Sequence, residues 1–526
     1  MTLARRALLK AGLIALPFMA RAEKMSEPRS PVVETQEGPV RGVMDGDVAI
    51  FRGIPFARAP VGALRFKSPE PPPKWRGVRD SSQFGPGVPQ NASRLSRIMG
   101  DFILPQSEDN CLTLNIWSPS LKGPPAPVMI WLHGGGYTSG AGSLRWYTGQ
   151  SFARNGRIVV VTVNYRLGPL GFLYLPGIAP GNMGILDQRM ALAWVRQNIA
   201  RFGGDPANIT LAGQSAGGRC VALHMASPET GPSLRRAILQ SPSFGLPPTP
   251  ADEAAKRARS YVEILKLDRL ADITRVPAEK LLTAFGEYNR RNRRFASSES
   301  AFGIVNDGAI ITDDAIESLI RGSADGIDLL FGTTRDESAA HFLIDNDVLT
   351  ATDAQVHERF RSVFGDTYAP YLDEFRRLYP AATPFTLLVH LITEQNFMRK
   401  GLELAEARAN RGKPGFVYRF DWQSPAPNFG ALHTIELPFV FNNLSDWPNS
   451  PMLAGGNERQ MAALAATIHK AWINFIATGN PNHDQMPVWA PYESGKRITM
   501  KFDTAVEPVG DLAGIHWRKP WPTTPS

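Results

Sequence analysis

The sequence has 526 residues, 43% hydrophobic and 20% charged, which is the balance of a soluble globular protein and excludes collagen, coiled-coil and low-complexity chains. Lys and Arg number 57 against 49 Asp and Glu, for a net +8. Arg5, Arg6, Lys10 and Arg21 stand in the first 22 residues without an acid, so the body carries only +4, an excess too mild to imply nucleic acid as a partner.

Residues 1–22, MTLARRALLKAGLIALPFMARA, combine the twin Arg5-Arg6, Lys10, a short apolar run from Ala11 to Ala20, and small residues Ala20 and Ala22 at cleavage spacing. This is the three-part pattern of a signal peptide. It is similar to the twin-arginine export signal, with Ala4 where Ser or Thr is usual. The apolar run of about ten residues is too short to cross a bilayer core of about 30 Å, and no later stretch reaches that length. The expectation is a cleaved signal and a bacterial protein exported to the periplasm or beyond, with no stable membrane anchor. Cys111 and Cys220 would then lie where a disulfide is permitted, but their apolar contexts read as two buried free thiols.

Val32 to Trp75 alternates short apolar runs with Gly and Pro and reads as a strand-rich section laid across the edge of a core. Leu112–Trp117, Val128–Leu132, Ile158–Val163 and Ile209–Ala212 are apolar, β-branched runs bounded by turn residues, the pattern of buried strands. Helical spacing appears over Asp187–Ala200 and Ala216–Ala226, and strands alternating with helices predict an α/β fold with a mostly parallel central sheet. Thr249–Ser300 and Ala351–Arg411 read as helix-rich insertions. Further strands are predicted at Ile327–Phe331, Phe416–Phe420 and Ile498–Phe502. The chain from residue 23 thus reads as one domain with insertions.

Gly213-Gln214-Ser215-Ala216-Gly217 follows a predicted strand and opens a predicted helix, the context of a nucleophile elbow. Small residues at 213 and 217 let the chain turn sharply, so that the Ser215 hydroxyl projects above the sheet. His133-Gly134-Gly135-Gly136 follows the strand ending at Leu132, about eighty residues before the elbow, and reads as an oxyanion-hole loop. Its donors would be the N–H groups of Gly135, Gly136 and Ala216. A serine hydroxyl needs a base, almost always His, held in its tautomer by a carboxylate. Of nine histidines, His433 fits the order Ser, acid, His, in a turn-like stretch after the strand Phe416–Phe420. His224, His341, His357, His390, His469, His483 and His516 read as packed or surface residues. The acid is Glu337 or its neighbour Asp336, both just after the strand Ile327–Phe331.

These residues together with FRGIPF (51–56), CLTLNIW (111–117), NYRLG (164–168), GILDQ (184–188), FGGDP (202–206), GQSAGG (213–218), GTTRDE (332–337), Gly430 to Phe441 and TGNP (478–481) resemble the type-B carboxylesterases, a family of α/β-hydrolases. The resemblance runs nearly end to end and includes bacterial carboxylesterases. It implies the triad Ser215, Glu337 and His433, with Glu337 preferred to Asp336 because the family uses glutamate, and an oxyanion hole at Gly135, Gly136 and Ala216. It also marks departures. Gln214 stands where the family usually has Glu. Val88 stands where a first Cys often closes a rim loop, so the stretch from 88 to 111 is expected to be untethered. That loop has no Trp to hold a quaternary ammonium by cation–π attraction, which argues against choline esters. Ser338 and Thr434 replace glycines common after the acid and the His.

The reading is a serine carboxylic-ester hydrolase that works through an acyl-enzyme on small to medium organic esters, its only implied partner. An amide or carbamate hydrolase using the same triad is the alternative, and a non-catalytic binding or adhesion protein on the same fold is the rival from another class. Cys and His show no zinc-ligand spacing and the glycine motifs match no P-loop or dinucleotide fingerprint, so no cofactor and no metal are expected. The run Arg290 to Arg294 reads as a solvated helix end. A sharper alternative places some of these arginines, with Arg145 and Arg219, at the pocket mouth to favour an anionic ester.

Overall fold

The computed structural model describes residues 30–102 and 104–512; the expected signal over residues 1–22 and His516 lie outside them. One sheet of eleven strands organises the chain. Its strands are β1 (Val43–Asp45), β2 (Val48–Pro55), β3 (Thr113–Ser118), β4 (Ala126–Leu132), β5 (Val159–Val163), β6 (Gly204–Gln214), β7 (Arg236–Gln240), β8 (Asp328–Thr334), β9 (Phe416–Phe420), β10 (Ile498–Phe502) and β11 (Glu507–Gly510). Their spatial order is β11-β10-β9-β8-β7-β6-β4-β5-β3-β2-β1. From β10 through β5 every neighbouring pair is parallel. The flanking β1, β2, β3 and β11 pair antiparallel. The N-terminal section supplies β1 and β2 at one edge, β11 lies at the other, and Val32–Glu34, Pro39–Arg41 and Arg79–Asp80 form a separate three-stranded sheet.

The central strands are buried on both faces, which is why they read as continuous apolar runs instead of alternating ones. In β4, Val128, Ile130 and Leu132 enter one apolar cluster and Met129 and Trp131 the other. In β5, Val159, Val161 and Val163 face the first and Val160 the second. A two-residue period so divides the core into a layer on each side of the sheet. Sequence reasoning passed over β7, Arg-Ala-Ile-Leu-Gln, because only its middle is apolar, yet all five residues are buried. Its polar ends are satisfied inside the protein: the Arg236 guanidinium donates to Ile476 O at 3.0 Å, and Gln240 Oε1 accepts from Trp472 Nε1–H at 3.1 Å.

Helices cover the sheet. They include α1 (Met183–Asn198), α2 (Ala216–Ala226), α3 (Ala251–Leu265), α4 (Ala278–Arg291), α5 (Pro384–Thr393), α6 (Arg399–Asn410) and α7 (Glu458–Thr478). Helix α7 starts where the Asn457 side chain accepts from Gln460 N–H and stops at Gly479 in the left-handed region, φ 84°, a side-chain cap at one end and a glycine at the other. Helices α3 and α4 lie in the first expected insertion and pack through Tyr261, Phe285 and Phe302, with Tyr261 and Phe302 ring centroids 5.3 Å apart. The second holds α5 and α6, joined by a turn of π-helix at Glu394–Met398. Among the described residues no helix is long and apolar enough to cross a membrane.

Candidate active site

The site gathers at the carboxyl ends of parallel strands, where such sheets open toward ligands. Ser215 stands between β6 and α2 with φ 59° and ψ −127°, a conformation whose cost is on the order of 1–3 kcal/mol and which persists only when the surroundings impose it. They do so here. Ser215 N–H donates to Gln240 O on β7 at 2.9 Å, and a Cβ at position 217 would lie 2.0 Å from Leu132 O. Helix α2 can therefore begin against β4 only with glycine at 217.

Beyond β4 the chain turns through His133 to Gly136, with φ 109° at Gly135 and 59° at Gly136. Gly135 O accepts from the N–H groups of Thr138 and Ser139 at 3.0 and 3.1 Å, and Gly136 O accepts from Ser300 Oγ–H at 2.6 Å. The carbonyls are thus occupied, whereas the N–H groups of Gly135, Gly136 and Ala216 have no acceptor among the described residues. Preorganised, unpaired donors are what a developing oxyanion requires. His133 anchors the turn. Its ring stacks on Tyr165 with centroids 4.3 Å apart, Nδ1–H donates to Gly134 O at 2.7 Å, and burial holds its pKa down at about 4, so it remains neutral.

Glu337 and His433 are both fully buried, and His433 Nδ1–H donates to Glu337 Oε2 at 2.5 Å. Glu337 Oε1 accepts from Thr334 N–H at 2.7 Å, which fixes the carboxylate at the end of β8. Asp336 turns away from the ring. It pairs with Arg335 at 2.8 Å and accepts from Ala431 N–H at 2.8 Å. With Nδ1 as donor, His433 Nε2 is an acceptor, and it receives the Gln214 side-chain N–H at 3.2 Å. Ser215 Oγ makes no hydrogen bond among the described residues.

Several neighbours of the site escaped sequence reasoning. His341, read as a packed or surface residue, lies with its ring 5.5 Å from that of His433; loss of hydration, with a smaller contribution from its neighbours His433 and Arg94, pushes its pKa down to about 3. Phe397, on the π-helical turn, places its ring 5.1 Å from His433. Such turns insert an extra residue into a helix and recur at functional sites. Glu436 is buried one turn beyond His433, and burial together with the Glu337 charge raises its pKa to about 7. Only Glu436 carried a local signal, an acid inside an otherwise apolar segment.

Three expectations meet their structural outcome here. The stretch from 88 to 111 lacks a disulfide but is tied down: Gln90 Nε2–H donates to Gly140 O at 2.9 Å, Gly140 N–H to Gln90 Oε1 at 2.6 Å, and Asn91 Nδ2–H to Leu282 O at 2.9 Å. The expectation of an untethered loop is corrected, because side-chain amides replace the covalent clasp. In the basic run, Arg290 and Arg291 pair with Glu287, Arg293 with Asp345 and Asp347, and Arg294 with Glu299. These are locally compensated charges at a helix end. Cys111 and Cys220 are free and buried, and burial lifts both thiols to about 12.

The sequence model of the Carboxylesterase family matches residues 29–512. The chain is 37% identical to the phenmedipham hydrolase of Pseudarthrobacter oxydans, over 92% of this chain and 97% of that enzyme. It is 35% identical to the para-nitrobenzyl esterase of Bacillus subtilis (strain 168), over 94% and 99% respectively. The crystal structure of the Geobacillus stearothermophilus carboxylesterase EST55 at pH 6.2 superposes with a TM-score of 0.83 at 36% identity, covering 93% of this chain and 99% of that one. A strand-to-helix serine, a buried His–Glu pair and these similarities converge: the chain belongs to the carboxylesterase family and is a carboxylic-ester hydrolase of the α/β-hydrolase fold.

Proposed function

We propose that Ser215, His433 and Glu337 are the catalytic triad of this esterase and that Gly135, Gly136 and Ala216 form its oxyanion hole. The observation that carries this reading is the buried 2.5 Å bond from His433 Nδ1 to Glu337. It leaves Nε2 as the basic nitrogen, directed at the turn that holds Ser215. Ser215 Oγ attacks the ester carbonyl carbon while His433 Nε2 takes its proton, and the carbonyl electron pair moves onto oxygen, facing the three free N–H groups. Collapse of the tetrahedral intermediate breaks the C–O bond, and His433 returns the proton to the leaving alkoxide. Water then attacks the acyl group with His433 again as base, and Ser215 is released. Loss of one oxyanion donor would cost on the order of a hundredfold or more in turnover.

The substrates in this reading are small to medium organic esters. The similarity to a para-nitrobenzyl esterase supports it, and the similarity to a phenmedipham hydrolase makes phenmedipham the compound with which to probe the amide and carbamate alternative. Release of p-nitrophenol from a short-chain acyl ester series, by the parent and by Ser215→Ala, tests the assignment. Turnover abolished by the substitution supports it, and turnover retained overturns it.

Two further readings belong to this proposal. Residues 1–22 direct export through a twin-arginine route to the periplasm or beyond, a reading supported by Arg5-Arg6, Lys10 and the short apolar run. Periplasmic protein whose N-terminus still begins at Met1 would end it. Residues 23–526 act as one hydrolase domain, supported by a single sheet whose strands run from Val43 to Gly510.

A further inference from the structure

The residue before the nucleophile is a neutral amide, and it bonds to the base itself. Gln214 Nε2 lies 3.2 Å from His433 Nε2, and both side chains are buried, Gln214 at 1% exposure and His433 at 0%. Proton bookkeeping fixes the direction of this bond. Nδ1 carries the ring proton toward Glu337, so Nε2 offers a lone pair, and only the amide N–H can donate to it. The lone pair that must accept the Ser215 proton is therefore already occupied in the resting enzyme.

The backbone holds Gln214 in this position. It is the last residue of β6, opposite Gln240 in the parallel register with β7, and a Cβ on Gly134 would come within 2.9 Å of Gln214 Oε1. The amide is thus confined between the oxyanion loop and the imidazole. The other groups facing His433 are Glu337 after β8, His341 on the short helix that follows, with Arg94 beyond it, and Glu436 on the segment of His433 itself. Phe397 closes the remaining side with an apolar ring. Among the described residues, Gln214 is therefore the polar side chain bonded to Nε2.

We infer that Gln214 is a positioning residue that holds His433 as a neutral base in the resting enzyme and exchanges donor for acceptor when His433 takes up a proton. When substrate enters, the amide N–H gives up Nε2 to the Ser215 O–H. As the Oγ–C bond forms, the proton moves to Nε2 and the carbonyl electron pair moves to the oxyanion. His433 now presents an N–H where it had a lone pair, and the amide N–H would oppose it. A half-turn of the planar amide group about the Cγ–Cδ bond presents Oε1, which accepts from the imidazolium until its proton passes to the leaving alkoxide. A carboxylate at this position could only accept, and would favour the imidazolium throughout. The amide can serve both forms of the ring, donating to the Nε2 lone pair and, once turned, accepting from the Nε2 N–H.

This inference rests on the triad reading, and its test separates the two. The pH dependence of kcat/KM for a p-nitrophenyl ester is measured for the parent, Gln214→Glu and the near-isosteric Gln214→Met, with Ser215 labelling by an organophosphonate followed by mass spectrometry in all three. The acid limb is expected to move upward by about one pH unit or more in Gln214→Glu and by a smaller step in Gln214→Met, which loses the donor without gaining charge. Acid limbs that coincide in all three, with Ser215 labelled, would reduce the contact to packing and overturn the inference alone. A parent whose Ser215 does not label while turnover proceeds would overturn the triad reading instead. If Gln214→Glu does not fold, the displacement between the parent and Gln214→Met decides the matter.

Discussion

Asp336 and Ala431 exchange two hydrogen bonds: Ala431 N–H donates to Asp336 Oδ2 at 2.8 Å, and Asp336 N–H donates to Ala431 O at 2.9 Å. The pair staples the loop carrying the acid to the loop carrying His433, and it divides two adjacent carboxylates by task. Glu337 meets the imidazole, and Asp336 fixes where the imidazole's loop begins. Position 430 must be glycine for the same reason, since a Cβ there would fall 2.4 Å from Asp336 Oδ2.

Exchanging the two acids therefore has unequal consequences. Glu337→Gln is expected to lower kcat by about 10³- to 10⁴-fold, because the wrong tautomer is favoured and the imidazolium loses its counter-charge. Asp336→Asn is expected to stay within about tenfold in kcat while losing about 1–2 kcal/mol of stability from weakened charge-assisted bonds. Steady-state kinetics beside urea unfolding separates these effects. A larger kinetic loss in Asp336→Asn than in Glu337→Gln would reverse the assignment.

Thr434 carries strain that its position explains. It replaces a glycine common in the family, sits at φ 78°, and buries a hydroxyl that has no hydrogen-bond partner among the described residues. A β-branched residue in the left-handed region is a steric outlier. Thr434→Gly should relieve the clash and the unsatisfied hydroxyl against the entropy that glycine loses on folding, for a net gain of about 1 kcal/mol. The urea midpoint is expected to rise, and in Thr434→Ala, which keeps the strain, it should rise less. Equal midpoints for the parent and the glycine variant would show that the turn is relaxed as built.

How much of this was legible follows from what each residue needs. The elbow, the glycine loop and the central strands could be read because turn chemistry and buried β-structure leave local patterns. Five residues with polar ends hid β7, since Arg236 and Gln240 find partners only across the fold. His341 and Phe397 could not be placed beside His433, because a π-helical turn in one insertion and a short helix after the acid bring them there. Local sequence could not separate Glu337 from Asp336. Their difference lies in which faces Ala431 and which faces His433, and family resemblance supplied the choice.

Glu436 makes stability depend on pH. Burial and the Glu337 charge raise its pKa to about 7 from an ordinary 4.5, so between these values the folded protein binds the proton more tightly than the unfolded chain does. The sign follows: this group's contribution is at its best below about pH 4.5, falls as pH rises toward 7, and is level above it. The total change is on the order of 3 kcal/mol. Glu436→Gln cannot ionise and keeps an acceptor for Gln240, whose Nε2–H reaches Glu436 Oε1 at 3.3 Å. Urea unfolding at pH 5, 6 and 7.5 should show the variant gaining on the parent as pH rises. A constant difference across the three would remove Glu436 from the account.

Gln90 does for the stretch from 88 to 111 what a disulfide does in relatives that have one. Its amide pairs with both the N–H and the C=O of Gly140, at 2.6 and 2.9 Å, and Gly140 packs so closely on His133 that a Cβ there would meet Nδ1 at 2.6 Å. The clasp thus reaches the oxyanion loop through one residue. Gln90→Ala leaves two backbone groups of Gly140 without partners, a cost of about 1–3 kcal/mol each when no water replaces them. Amide exchange is expected to rise in both 88–111 and 133–140, with a fall in kcat of up to about tenfold and little change in KM, because the loosened donors matter most when the oxyanion forms. If exchange rose in 88–111 alone and kcat held, the loop would be fastened independently of the oxyanion turn. Faster exchange in both segments, with kcat reduced, would make the clasp part of what keeps Gly135 and Gly136 in place.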